Sequence, residues 1–249
     1  KGCGCMERKV AVITGSRRGL GASIANALAR RGYNVVINDF VSEDEVLNVV
    51  KNINDNYDVE ALGVMADVSK ESEVKRFLSV VKQKFGRVDV LINNAALVED
   101  IEIEYKSTDE FNHILTNNVT STYLMSKYFG KFMYTNKKGK IINISSTNGI
   151  NAFFPTSIDY DASKAAIISL THNFALEYAP YVLVNAIAPG WINTEMNQDL
   201  PIKLIKEETE KIYLKRFAEP AEVANLVCFL ASDDCSYING EVIKIDGVY

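Results

Sequence analysis

Short apolar runs alternate with amphipathic stretches along almost the whole chain. The runs Lys9–Thr14, Asn34–Asn38, Ala61–Ala66, Val88–Ile92, Lys140–Ile144, Val182–Ala188 and Val242–Ile245 are brief and rich in β-branched residues, which predicts seven strands. The stretches between them have a helical period. Gly19–Arg31 puts Leu20, Ile24, Ala27 and Leu28 on one face. Ser42 is placed to cap a helix carrying Val46, Val49, Val50 and Ile53, and Ser69 to open one carrying Val74, Phe77, Leu78 and Val81. Longer helices are predicted over roughly 108–134 and 157–178, and a shorter one over Ala221–Leu230.

Repeated strand–helix alternation implies parallel strands joined by right-handed crossovers. The fold class expected is therefore α/β: a single-domain Rossmann fold, a seven-stranded, mostly parallel sheet with helices on both faces. No linker, repeat or low-complexity segment divides residues 6–249. The charged stretch Trp191–Glu219 fits neither pattern. It lies beyond the carboxyl end of a strand, where a substrate lid is expected.

Candidate chemistry gathers at strand ends. Thr14-Gly15-Ser16-Arg17-Arg18-Gly19-Leu20-Gly21 joins the first strand to the first helix. Glycines there permit a tight turn and close backbone approach to a pyrophosphate, which the free N–H groups of a helix start can face. Asp39 follows Gly15 by 24 residues, where a carboxylate can accept ribose hydroxyls and repel a 2′-phosphate. Tyr160 and Lys164 are spaced i, i+4, so phenol and ammonium share a helix face. A free tyrosine ionises near pH 10, and a neighbouring cation is expected to lower that and fit it for proton transfer.

Composition narrows the function. With 47% hydrophobic and 24% charged residues the balance is that of a globular domain. A net charge of −5 disfavours a nucleic-acid surface, and no apolar run reaches 18 residues, so no membrane partner is expected. No apolar signal segment is visible, and the four cysteines (Cys3, Cys5, Cys228, Cys235) match no zinc spacing, so the expectation is a reduced cytoplasmic protein with no metal site. Lys1–Cys5 reads as an artificial or disordered start preceding a natural Met6. His113 and His172 have no ligand-spaced partner and read as surface or core-edge residues. Phe153 and Phe154 are candidate walls of a substrate site.

In order along the chain, these residues resemble the short-chain dehydrogenase/reductase family, over nearly all of Arg8–Val248. Thr14–Gly21 is similar to its TGxxxGxG turn, Asp67 and Val68 to its adenine-contact pair, and Asn93-Asn94-Ala95 to its NNA motif. Asn118, 24 residues past Asn94, resembles the helix Asn of a catalytic tetrad completed by Ser146, Tyr160 and Lys164. The run NAIAPGWINT, with Pro189, Gly190, Ile192 and Thr194, resembles the nicotinamide-side motif. Arg216–Glu222 and Asn239–Gly247 resemble 3-oxoacyl-acyl-carrier-protein reductases and sugar dehydrogenases. The chain departs from the pattern at Ala96 and Val248, each in place of a Gly, and in the loop Ala179–Leu183, which lacks arginines common there.

The resemblance implies hydride exchange between a nicotinamide and a carbonyl/alcohol pair. Tyr160 would move the proton, Ser146 would bond the reacting oxygen, and Lys164 would hold the ribose. Asn118 would hold a relay water, while the adjacent Asn117 would be turned about 100° away. Arg18 suits a 2′-phosphate, yet Asp39 opposes one and Phe40 adds no cation, so NAD(H) is favoured over NADP(H). The substrate expected is a 3-oxoacyl group, carrier- or coenzyme-A-bound, with a sugar, polyol or other secondary alcohol as the alternative. A catalytically silent dinucleotide sensor is the alternative of another class. A homotetramer is implied through the helices bearing Asn118 and Tyr160. The lid residues Lys203, Lys206, Lys211, Lys215 and Arg216 alternate with Glu207, Glu208 and Glu210 and read as a solvated face.

Overall fold

The computed structural model describes residues 8–197 and 200–249. The expectations for Lys1–Cys5 and Met6 lie outside the described residues. The seven expected strands form one sheet: β1 Val10–Ile13, β2 Asn34–Asp39, β3 Ala61–Met65, β4 Val90–Asn93, β5 Gly139–Ile144, β6 Val182–Pro189 and β7 Val242–Ile245. Their order is β3-β2-β1-β4-β5-β6-β7, and every neighbouring pair is parallel.

Residue alternation sorts the core into two layers, because successive side chains on a strand point to opposite faces. Ala11, Ile13, Val35 and Ile37 pack into one cluster with Ile24, Leu28 and Val227. Val10, Val12 and Val36 face the other, with Phe77, Met125, Phe129 and Met133. The helices α1 Gly19–Ala29, α2 Glu43–Asn56 and α8 Pro220–Ala231 contribute to the first layer; α3 Glu71–Phe85 contributes to the second. Phe77 and Phe129 meet edge to face at 5.4 Å.

Strand order reverses direction between β1 and β4, which opens a crevice beyond their carboxyl ends. Ile13 is in register with both Ile37 and Ile92, so β2, β1 and β4 end within two residues of one another. The loops after them therefore rise together and bring Gly15, Asp39 and Asn94 to one edge.

Three local features differ from the sequence reading. Ser69 does not cap α3: Lys70 is the N-cap, and Ser69 donates from N and Oγ to Asp67 Oδ1 (3.0 and 2.6 Å). The helix predicted over 108–134 is α4 Thr108–Leu115 and α5 Ser121–Thr135 joined by a π-helical turn, Thr116–Thr120. Its start has a capping box, Ser107 with Glu110. The unsettled lid contains a bridge between Ile192 and Ala218, a 3₁₀ turn Glu195–Asn197 and a helix α7, Ile202–Lys211. The remaining long helix is α6, Ile158–Tyr178.

Candidate active site

The Gly-rich turn is braced from behind by β4. Thr14 Oγ1 accepts from the N–H groups of Asn94 and Ala95, both at 3.0 Å, and Asn94 Nδ2 donates to the carbonyls of Thr14 and Gly15, both at 2.9 Å. Asn94 thus spends its amide on shaping the turn. Gly15 has φ +60°, and a Cβ on it would lie 2.7 Å from Ala95 Cα. A Cβ on Gly21 would lie 2.4 Å from the Gly15 carbonyl oxygen. The start of α1 has no side-chain cap, so its N–H groups remain available to an anion. A turn that excludes side chains and offers uncapped N–H groups fits a dinucleotide pyrophosphate.

A groove of about 630 Å³ runs from Asp39, Phe40, Asp67 and Val68, past Arg18, Gly19, Leu20 and Ala95, to Tyr160, Lys164, Gly190, Ile192 and Thr194. Most of the dinucleotide residues expected from sequence line it. Ser16 and Pro189 do not. Ser16 is buried, donating to Ile13 O (2.8 Å) and accepting from Asn38 N (3.0 Å), so its side chain ties the turn to β2. Pro189 ends β6 behind Gly190, whose N–H donates to Ile245 O (3.0 Å).

At the far end Asp39 is pinned. Its Oδ1 accepts from the N–H groups of Phe40 (2.8 Å) and Val41 (2.9 Å), and its Oδ2 stands 3.3 Å from Arg17 Nε. Arg17 also pairs with Glu45. The basic residue committed to Asp39 is therefore Arg17, whereas Arg18, singled out from sequence for a 2′-phosphate, is exposed at the edge of the groove. Asp67 is held by Ser69 and by Lys70 (3.0 Å), and the hydrogen bonds to Ser69 and Lys70 outweigh its burial and lower its pKa.

At the other end Lys164 Nζ sits 5.3 Å from the Tyr160 ring centroid and donates to Ile144 O (2.9 Å). Burial pushes the Tyr160 phenol up to about 12, although a hydrogen bond with Ser146 acts in the opposite sense. Burial also pushes Lys164 down to about 7. This corrects the expectation that Lys164 lowers the Tyr160 pKa: desolvation disfavours both charged forms, and it is the largest cause for each group. Tyr160 consequently holds its proton at neutral pH.

Asn118 is fully buried in the π turn, with its side chain turned from the groove. Its Oδ1 accepts from Leu97 N (2.7 Å), and its Nδ2 donates to Leu97 O (2.8 Å) and Ser163 Oγ (3.0 Å). It therefore fastens the loop after β4 to α6. Asn117 lines the groove instead, the reverse of the orientation expected from sequence.

Two arrangements escaped the sequence reading. Ser146 Oγ donates to Asn148 Oδ1 (3.1 Å), and Asn148 Nδ2 donates to Asp161 Oδ1 (2.6 Å). Asp161 Oδ2 accepts from Phe154 N (3.0 Å). A carboxylate can only accept, which fixes the Asn148 amide with its oxygen toward Ser146. The second is a buried ion pair: Lys106 Nζ lies 2.7 Å from each carboxylate oxygen of Asp159, whose Oδ1 also accepts from Tyr160 N (3.0 Å). Its only sequence signal was an acid beside Tyr160. Its partner, 53 residues away, was not legible.

The lid closes the reaction end with aromatic rings. Trp191 stacks on Phe217 (5.3 Å between centroids) and meets Phe154 edge-on (5.8 Å). Phe153 is 72% exposed and does not line the groove. The lid's basic residues are largely paired, Lys211 with Glu208 and Arg216 with Glu222, while Glu208 is buried rather than solvated.

A family model described as enoyl-(acyl carrier protein) reductase matches residues 15–249. The 3-oxoacyl-(acyl-carrier-protein) reductase of Staphylococcus epidermidis is 38% identical over 240 residues, 96% of this chain and 98% of that protein. The enzyme of the same name from Aquifex aeolicus is 36% identical over 243 residues, 97% of each chain. Among solved structures, levodione reductase superposes with a TM-score of 0.91 at 32% identity, and a Serratia marcescens short-chain dehydrogenase/reductase with 0.90 at 30%; each match covers 96% of both chains.

Proposed function

The chain belongs to the short-chain dehydrogenase/reductase family, and on that premise we propose that it reduces the 3-oxo group of an acyl thioester, carrier- or coenzyme-A-bound, in the cytoplasm. The reaction class, nicotinamide-dependent oxidation and reduction of a carbonyl/alcohol pair, is that of the family. The observation that carries the reading is the meeting of Tyr160 and Lys164 at one end of a groove that also runs along a glycine turn, with Ser146 behind the lining and hydrogen-bonded to Tyr160.

The nicotinamide dinucleotide, when bound, supplies or accepts the hydride. The turn Gly15–Gly21 would hold its pyrophosphate, with Asp39 at the ribose and Asp67 and Val68 at the adenine. Ala95, Gly190, Ile192 and Thr194 would flank the nicotinamide half. Tyr160 keeps its proton at neutral pH and so is set to donate it to a carbonyl oxygen as charge develops there. Ser146 steadies that oxygen, and Lys164 takes the ribose side of the site. Asn118 acts by holding the loop at Leu97.

NAD(H) is favoured over NADP(H). A 2′-phosphate would meet the pinned carboxylate of Asp39, and the nearest cation, Arg17, is shared between Asp39 and Glu45. The kcat/KM ratio for NADH and NADPH tests this, and a strong NADPH preference refutes it.

The function is tested with acetoacetyl-coenzyme A and NADH. Wild-type protein should turn over, and Tyr160→Phe should bind NADH equally well yet lose at least 99% of turnover. Full activity in Tyr160→Phe removes the proton-transfer role. Binding of NADH without turnover on any ketone or secondary alcohol would instead favour the dinucleotide sensor. The levodione reductase likeness and the aromatic lid support a second reading, a compact cyclic ketone as substrate. Exposed apolar side chains on α5 and α6, such as Tyr123 and Leu176, support a tetramer, which light scattering tests.

A further inference from the structure

Glu208 stands on α7 with its carboxylate only 2% exposed, and three donors converge on it. Trp191 Nε1 donates to Oε2 at 3.0 Å, the Tyr249 hydroxyl donates to the same oxygen, and Lys211 Nζ reaches Oε1 at 2.7 Å. Trp191 and Tyr249 both line the reaction groove, although 58 positions separate them. The segment carrying Tyr249 is tied down by Tyr213 N to Val248 O (3.1 Å) and Leu214 N to Gly247 O (3.2 Å). Trp191 is further fixed by its stack on Phe217 and its edge contact with Phe154. A buried carboxylate is costly unless its lone pairs are filled. Here they are filled by two ring donors and one ammonium, and those hydrogen bonds hold the carboxyl below its usual range.

We propose that Glu208 is a specificity-determining positioning residue: it locks Trp191 and Tyr249 into a single apolar wall against which the acyl arm of the carbonyl substrate lies. The inference rests on the reaction assigned to Tyr160 and Ser146, and it adds what the groove selects. Glu208 is not among the residues lining the groove, so it acts through the two rings. Neither ring belongs to the proton-transfer group, so the effect falls on substrate selection rather than on the chemical step. Each methylene laid on such a wall is worth about a fourfold gain in binding. A rigid wall therefore favours longer acyl arms, and a loosened one does not.

The test compares wild type with Glu208→Ala, using 3-oxooctanoyl-coenzyme A and acetoacetyl-coenzyme A. The kcat/KM ratio of the long to the short thioester should fall about tenfold in Glu208→Ala, through KM for the long substrate, while the NADH dissociation constant stays within twofold. Trp191 is the sole tryptophan of the chain, so its fluorescence reads the wall without turnover. Its emission should shift to the red and become more readily quenched by iodide. Tyr249→Phe removes one donor with little change in volume and should lower the ratio two- to threefold, which keeps the test open if Glu208→Ala misfolds. An unchanged ratio, or Trp191 emission and quenching identical to wild type, overturns the proposal. If wild type turns over neither thioester, the acyl-thioester assignment fails, and the fluorescence alone decides whether Glu208 holds the wall.

Discussion

Lys106 and Asp159 form an ion pair almost sealed from solvent, with side chains 3% and 0% exposed and Nζ at 2.7 Å from both carboxylate oxygens. Lys106 also donates to Glu99 O (3.0 Å), and Asp159 caps Tyr160 N (3.0 Å). The pair thus binds the loop after β4 to the first turn of the helix that carries Tyr160. Lys106→Met leaves the carboxylate with one N–H donor in a dry site. Removing one partner of such a pair costs about 3–5 kcal/mol, because the remaining charge keeps its desolvation penalty. At about 2–4 °C per kcal/mol for a chain of this size, the melting temperature should fall by about 6–20 °C. Removing both charges removes both penalties, so Lys106→Met/Asp159→Leu should be less damaged than either single variant. Thermal unfolding followed by far-UV circular dichroism at fixed protein concentration reads all three. A loss below 1 kcal/mol in Lys106→Met, or a double variant as unstable as the sum of the singles, would show that the pair carries no buried-charge penalty.

Asn148→Ala should lower kcat about tenfold with little change in NADH binding, since it frees the Ser146 hydroxyl from its fixed direction. In a Ser146→Ala background the same substitution should cost nothing further, and an additive loss would assign Asn148 a purely structural part. Lys164 titrates near 7 in the folded chain and at 10.5 when unfolded, so between those values only the unfolded chain holds the proton. Stability should therefore rise with pH across that window, by up to about 1.4 kcal/mol per unit, and the rise should vanish in Lys164→Met when urea midpoints are compared from pH 6 to 10. Tyr160 works oppositely above pH 10, where the unfolded chain gives up a proton that the folded chain keeps to about 12, and stability falls. Val248 adopts φ +63° where the family pattern has Gly, and it is 65% exposed. Val248→Gly should stabilise the chain by about 1 kcal/mol, seen as a melting temperature 2–4 °C higher; no gain would mean the strain is already relaxed elsewhere.

What the sequence determined is what repeats locally. The seven strands, most of the helices and the glycine turn follow from period, β-branched runs and the steric exclusion that makes Gly15 and Gly21 necessary. Tyr160 and Lys164 were legible because an i, i+4 pair needs only a helix, whereas Ser146 came from the resemblance to the family's motif. Tertiary structure decided everything that depends on distant partners or on burial. Asn118, within the π turn, bonds Leu97 and Ser163, partners that only the folded chain brings to it, and Asn117 lies on the groove side. Arg17 rather than Arg18 closed on Asp39, since only the assembled sheet brings β2's end to that turn. The proton affinity of Tyr160 went against the local argument, because spacing conveys proximity but not desolvation, which also lowers that of Lys164. Glu208 looked like one more charge on a solvated face until Trp191 and Tyr249 were folded over it, and no pattern within α7 could report rings that lie 17 and 41 residues away.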